Sequence, residues 1–162
     1  RSQDLIVETW EALIQLREQG LAREIGVSNF THVDLNRLVD ATGVAPALNQ
    51  IELHRYFQQA DMRRANAELG VRTQAWSPLA QNKCLADPVI TDIADRYGKS
   101  PAQVVTRWHI ELGNIVIPKS VTASRIRANF EVFDFALDDG DLAAIGELDA
   151  GTRLGPDPAT FG

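Results

Sequence analysis

The sequence predicts an α/β fold in which parallel strands are joined by crossover helices. Two observations carry that prediction. Short β-branched runs alternate with longer stretches whose apolar residues recur at helical spacing. Successive strands lie about 23, 24 and 43 residues apart, too far for hairpins and right for strand–helix–strand units. Such spacing fits either a β/α barrel or a doubly wound sheet. The G-x-G-x-x-G turn of a dinucleotide-binding doubly wound fold is absent, and so is a P-loop. Four strands are half of an eight-stranded barrel, which typically takes about 250 residues; the chain has 162 and opens on a helix.

Each element has its own signal. Residues 5–19 set Leu5, Trp10, Leu13, Ile14 and Leu16 at helical spacing, and Gly20 closes that helix. REIGVS is too brief for a helix and reads as a buried strand around residues 25–27. Thr31 caps the next helix with Asp34 in capping-box position; Leu35, Leu38 and Val39 form its apolar face, and Gly43 ends it. ALNQIEL (47–53) is the second strand, residues 58–69 a helix stopped by Gly70, and VRTQAW (71–76) the third strand. Helices follow at about 88–97 and 101–112, the latter with Ser100 as cap and Pro101 in the first turn. IVIPK (115–119) is the fourth strand. A short helix starts near Ala123, and a last one runs from after Asp138 to about Leu148.

Composition narrows the function classes. A chain of 162 residues, 44% hydrophobic and 23% charged, has the make-up of a soluble globular domain. No apolar stretch approaches the roughly 20 residues that span a membrane, and RSQDLIVETW lacks the regions of a signal peptide. The single cysteine, Cys84, forms no internal disulfide and favours a reducing compartment, so a cytoplasmic location is expected. No neighbouring base or helix start activates it, and an inert thiol is expected. A net charge of -6, from 16 Lys+Arg against 22 Asp+Glu, disfavours nucleic acid. No metal site is expected. Any cationic site must be local.

Polar residues collect where the strands end: Ser28-Asn29, Asn49-Gln50-Glu52, Trp76-Ser77 and Lys119-Ser120. In parallel α/β folds ligands bind outside the carboxyl ends of the strands. One pair alone reads as a helix cap or turn; four in register read as the rim of a binding site. The stretch IVIPKSVTASRIRAN (115–129) is the most concentrated of them. A strand followed by a lysine, hydroxyls and a helix start offers amide donors and cations, the ingredients of a phosphate site. Arg125, one turn into that helix, brings a planar fork to the same anion.

GLAREIGVSNF, ALNQIELH, RTQAWSPLA and IVIPKSVTASRIRAN followed by FEVFDFAL resemble the aldo-keto reductases in matching order. The ending GTRLGPDPATF is similar to the tail of bacterial members, including the 2,5-diketogluconate reductase type. The resemblance covers essentially the whole chain. It implies that residues 1–162 are the C-terminal half of one (β/α)8 TIM barrel domain, from its fourth helix to the C-terminal loop, and that NADPH is the cofactor. Ser28, Asn29 and Gln50 would hydrogen-bond the nicotinamide carboxamide, and Trp76 would stack on the ring where relatives more often carry Tyr. Ser77, Leu79 and Gln81 would lie along the pyrophosphate. Lys119, Ser120, Val121, Thr122 and Arg125 would hold the adenosine ribose and its 2′-phosphate, and Asn129 would contact adenine. Two departures stand out: Ala128 where many relatives have Glu or Gln, and Arg55 where the pattern has Pro. By the same resemblance His54 is structural. His109 is expected to pack within its helix, His32 to face solvent, and Tyr97 to sit at a helix end away from chemistry. Tyr56 is expected at the border of the mouth with no group near it to tune it.

The family reduces a carbonyl by hydride transfer while a Tyr, tuned by a Lys–Asp pair, donates a proton and a His orients the oxygen. Those four groups lie on the second to fourth strands of the barrel, which find no match in these residues. No catalytic residue is therefore expected in this chain, and alone it is expected to be inactive. The implied reaction is reduction of a small-molecule aldehyde or ketone, with the missing N-terminal half of the barrel as partner. Two open strand edges should favour pairing with another chain. The alternative is a non-catalytic nucleotide-binding or assembly module of the same ancestry. The tail GPDPATF is expected to fold over the substrate pocket.

Overall fold

The computed structural model describes residues 3–158 and residue 160. In chain order the elements are α1 (Gln3–Glu18), β1 (Val27–Ser28), α2 (His32–Thr42), β2 (Leu48–Glu52), α3 (Ala60–Glu68), β3 (Arg72–Trp76), α4 (Pro88–Tyr97), α5 (Pro101–Glu111), β4 (Ile115–Val116), α6 (Ala123–Ala128) and α7 (Asp139–Gly146). A 3₁₀ stretch, Ala80–Ala86, lies between β3 and α4. The sheet order is β1-β2-β3-β4. β1 runs parallel to β2 with Val27 opposite Asn49 and Ser28 opposite Gln50, and β3 parallel to β4 with Gln74 opposite Ile115. This is the parallel, helix-connected sheet of a partial β/α barrel. The chain forms two compact units: one runs to Ile51 and includes Ala60–Thr73 and the segment from Pro156, the other comprises Glu52–Gln59 and Gln74–Gly155.

In the first unit Trp10, Ile25 and Leu38 are buried together, with Ile6, Leu13, Val27 and Phe30 against them. The Trp10 indole N–H donates to the Val44 carbonyl at 3.1 Å, so a large apolar side chain is buried without an orphaned donor. The expected cap of α2 is present: the Thr31 hydroxyl accepts from the Asp34 amide, the Asp34 carboxylate accepts from the Thr31 amide, and Gly43 closes the helix at φ 69°. At Gly26 a Cβ would sit 2.9 Å from the Leu48 carbonyl oxygen, so only glycine lets β1 lie this close to β2. Behind β2, Asn49 gives its amide N–H to Phe30 (2.9 Å) and Asn66 (3.4 Å), and Asn66 donates on to Thr73 at 2.8 Å. An apolar groove of about 380 Å³ beside β1 is lined by Leu5, Ile6, Trp10, Val27 and Phe30, among others.

In the second unit α4 packs on α5 and α7. Ile90, Ile93, Val104, Trp108 and Ile145 are fully buried there, and each such side chain contributes about 1.5–3 kcal/mol of transfer free energy. Ser100 and Asp138 both form capping boxes, with Gln103 and Asp141 respectively. Two expectations are corrected. β4 stops at Val116, not residue 119: Ile117 is exposed and Pro118 has no N–H for a ladder. Gln58 and Gln59 do not open α3. The Gln58 amide is buried and donates to the carbonyls of Arg55 (2.9 Å) and Ile145 (2.8 Å), and Gln59 is left-handed at φ 45°. Among the described residues no helix is long and apolar enough to cross a membrane. Of the tail GPDPATF, Ala159 and Phe161 lie outside the described residues.

Candidate functional site

In the first unit the end of β1 brings Ser28, Asn29 and Gln50 together. The Ser28 hydroxyl (3.0 Å) and the Asn29 amide (2.9 Å) both donate to the Gln50 carbonyl. Asn29 is left-handed at φ 59°, a conformation Asn tolerates better than most residues and one that collects at binding sites. The register of β1 against β2 thus places three amide- or hydroxyl-bearing side chains at one strand end.

In the second unit β3 ends in Trp76, half-buried, and the backbone turns sharply after it. Ser77, Ala80, Gln81 and Asn82 all have positive φ, between 49° and 69°, although none is glycine. Leu79 is half-buried and Gln81 exposed. The Ala80 amide donates to the Ser77 carbonyl at 2.9 Å and the Asn82 amide to Leu79 at 2.8 Å, so the turn is closed by its own backbone. Beneath it Cys84 is fully buried, and burial pushes its thiol up to about 11, which leaves it inert as expected.

Beyond β4 lie Lys119, Ser120, Val121, Thr122, Arg125 and Asn129. Lys119, Thr122, Arg125 and Arg127 are exposed, and Val121 is 90% exposed. Among the described residues none of Lys119, Arg125 and Arg127 takes part in an ion pair. Ser120 turns its hydroxyl to its own loop, accepting from the Thr122 amide at 3.2 Å. α6 has six residues and Thr122 makes no side-chain cap, so the helix-start contribution to an anion site is smaller than the sequence promised.

Four features at the end of β2 were not legible as a set. Glu52 is fully buried; its Oε1 accepts from the amides of Leu154 (2.6 Å) and Gly155 (3.1 Å) and lies 3.1 Å from His54 Nε2. His54 is fully buried and held below its ordinary pKa, burial outweighing the raising effect of Glu52, so it is neutral at pH 7. Arg55, the departure from Pro, is fully buried, pairs with Asp87 and lies 3.7 Å over the Tyr56 ring, so Tyr56 does have a cation beside it. Gly155 runs against Trp76 so closely that a Cβ there would meet the indole Cη2 at 2.6 Å. For the first of these the sequence signal was an acid, Glu52, inside the apolar strand ALNQIEL. Elsewhere His109 is fully buried and His32 exposed. Among the described residues no three His, Cys, Asp or Glu side chains gather as metal ligands.

Comparison with known proteins places the chain. Residues 2–150 match the aldo/keto reductase family. An aldo-keto reductase of Mycolicibacterium smegmatis is 57% identical over 155 residues, covering 96% of this chain and 56% of the relative. Methylglyoxal reductase DkgA of Escherichia coli is 53% identical over 161 residues, covering 98% and 58%. Among solved structures, a Gox0644 mutant in complex with NADPH superposes with a TM-score of 0.93 at 47% identity, covering 96% of this chain and 58% of that one. The chain spans a little over half the length of the curated relatives it matches, and it belongs to the aldo/keto reductase family.

Proposed function

We propose that this chain is the C-terminal half of an NADPH-dependent reductase of aldehydes or ketones, and that the half present is the cofactor cradle. The observation that carries the reading is the group Lys119, Arg125 and Arg127: three exposed cations, free of ion pairs, within nine residues of a chain whose net charge is -6. Cations left without acidic partners in an acidic protein are available for a polyanion, and a 2′-phosphate beside a pyrophosphate is one. The relative crystallised with NADPH supports the choice of ligand.

In this reading Lys119 and Arg125 grip the 2′-phosphate, Ser120, Val121 and Thr122 border the ribose, and Asn129 meets adenine. Ser77, Leu79 and Gln81 follow the pyrophosphate along the left-handed turn. Trp76 offers its indole face to the nicotinamide, and Ser28, Asn29 and Gln50 orient the carboxamide. When bound, NADPH supplies the hydride. The proton donor and its partners belong to the missing N-terminal half. A cytoplasmic location and a small carbonyl substrate complete the reading, and methylglyoxal, named for the relative DkgA, is the first to try.

The test is to titrate the chain with NADPH, then supply the N-terminal portion of a relative and assay a panel of aldehydes. Tight NADPH binding with reduction only after reconstitution is the expected result. Binding without reduction would favour a nucleotide-binding module; no binding in either form would refute the cradle.

A further inference from the structure

The buried Glu52 carboxylate does something that capping and packing do not require. Two consecutive amides, of Leu154 and Gly155, converge on its Oε1 at 2.6 and 3.1 Å from 102 and 103 residues away in sequence. His54 Nε2 approaches the same oxygen at 3.1 Å, and the Arg153 guanidinium stands 3.7 Å from Oε2. Arg153 is itself seated over the Phe57 ring at 4.5 Å. A fully buried carboxylate is costly unless such contacts compensate it, and here all but that of His54 tie it to one short segment, residues 153–155.

That segment ends against Trp76. The position a Cβ of residue 155 would take is 2.6 Å from Cη2 and 3.1 Å from Cζ3 of the indole, and 3.3 Å from Glu52 Oε2. The Gly155 backbone therefore lies against the outer rim of the indole, and the Glu52 carboxylate borders the same spot. Glycine is needed here for proximity, since its φ is not in the left-handed region.

We propose that Glu52 is a positioning residue for hydride transfer: through the clamped segment 153–155 it fixes the plane of Trp76 and so the plane on which the nicotinamide stacks. The proposal rests on the reading above in which Trp76 is the stacking platform. Glu52 touches neither cofactor nor substrate in this arrangement and acts through the glycine it holds.

The experiment labels the full-length protein carrying this chain with 5-fluorotryptophan and assigns the resonances of this chain's three tryptophans from single Trp→Phe variants. Glu52→Gln keeps the shape and removes the charge; Gly155→Ala leaves the carboxylate and crowds the rim. In both variants the Trp76 resonance should shift or broaden while those of Trp10 and Trp108 stay in place. In Glu52→Gln the amides of residues 154 and 155 should exchange about tenfold faster, since a charged acceptor is replaced by a neutral one, and the NADPH dissociation constant should rise by about tenfold. An unmoved Trp76 resonance in both variants, or all three resonances moving together, would overturn the proposal; the second pattern would make Glu52 a general support of the fold. If Glu52→Gln does not fold, Gly155→Ala alone decides by the same resonance criterion. Trp76→Ala separates the underlying reading. Unchanged NADPH affinity there means no stacking on Trp76, which removes the role in the reaction whatever the fluorine spectra show of the clamp.

Discussion

The Tyr97 phenol donates to the Asp141 carboxylate at 2.6 Å, tying the last turn of α4 to the first turn of α7. Arg96 pairs with the same carboxylate, and Asp141 also completes the capping box with Asp138. Burial acts to raise the Asp141 pKa, but hydrogen bonds from Tyr97 and Arg96 outweigh it and hold the group below its ordinary value. Asp141→Ala removes all of these contacts at a buried position. It should lower stability by about 1–3 kcal/mol, read as a drop in the urea midpoint. Tyr97→Phe should cost less, because the cap and the Arg96 pair survive.

His54 gives a pH dependence of definite sign. Its folded pKa is lowered, mainly by burial, whereas in the unfolded chain it titrates near 6.5. Below that value the unfolded chain takes up a proton that the folded chain refuses, so stability falls as pH is lowered from 7 and levels off once the folded form also protonates. The slope from this one group is at most about 1.4 kcal/mol per pH unit. Urea midpoints of wild type and His54→Asn at pH 7.5 and 5.5 check it. A pH difference of the same size in both would show that His54 is not the cause.

Arg125→Ala should weaken NADPH binding by about tenfold and leave NADH nearly unchanged, because the two differ by one 2′-phosphate. A charge-assisted contact supports up to about a hundredfold. The exposure of Arg125 admits screening, which brings the expectation to the lower end, and the effect should shrink further in high salt. Tryptophan fluorescence titration with each cofactor reads it out. Equal losses for both would assign Arg125 to the fold instead.

Gly26→Ala should destabilise the chain by about 1–3 kcal/mol, since its Cβ would meet the Leu48 carbonyl at 2.9 Å and the Leu48 side chain at 3.0 Å. Thermal melting decides; a melting point within a degree of wild type would mean that β1 moves away from β2 without cost.

The parts of this fold legible in the sequence are those that local chemistry settles. Thr31 with Asp34, Ser100 with Pro101, and Gly43 named helix ends that the structure places within a residue or so. The misreadings come from tertiary demands on local segments. Gln58 sits in a good helix sequence, but its amide is taken by carbonyls 87 and 88 residues further on. Asn29 and Ser77 were named as polar strand ends and Gln81 through family resemblance, and their left-handed backbone was invisible because no glycine marks it. The link between Glu52 and Gly155 was missed for a different reason: it spans about a hundred residues, and Gly155 alone looks ordinary.

Asn49, Asn66 and Thr73 form one hydrogen-bonded chain inside the first unit, and that chain constrains the protein's history as well as its fold. Losing any member strands a buried polar group on its neighbour, which costs more than replacing the whole set with apolar residues. Neutral drift therefore has no single-step exit from this arrangement. Across descendants of this sequence the three positions should persist together or be exchanged together, making them a lineage mark written in buried side chains.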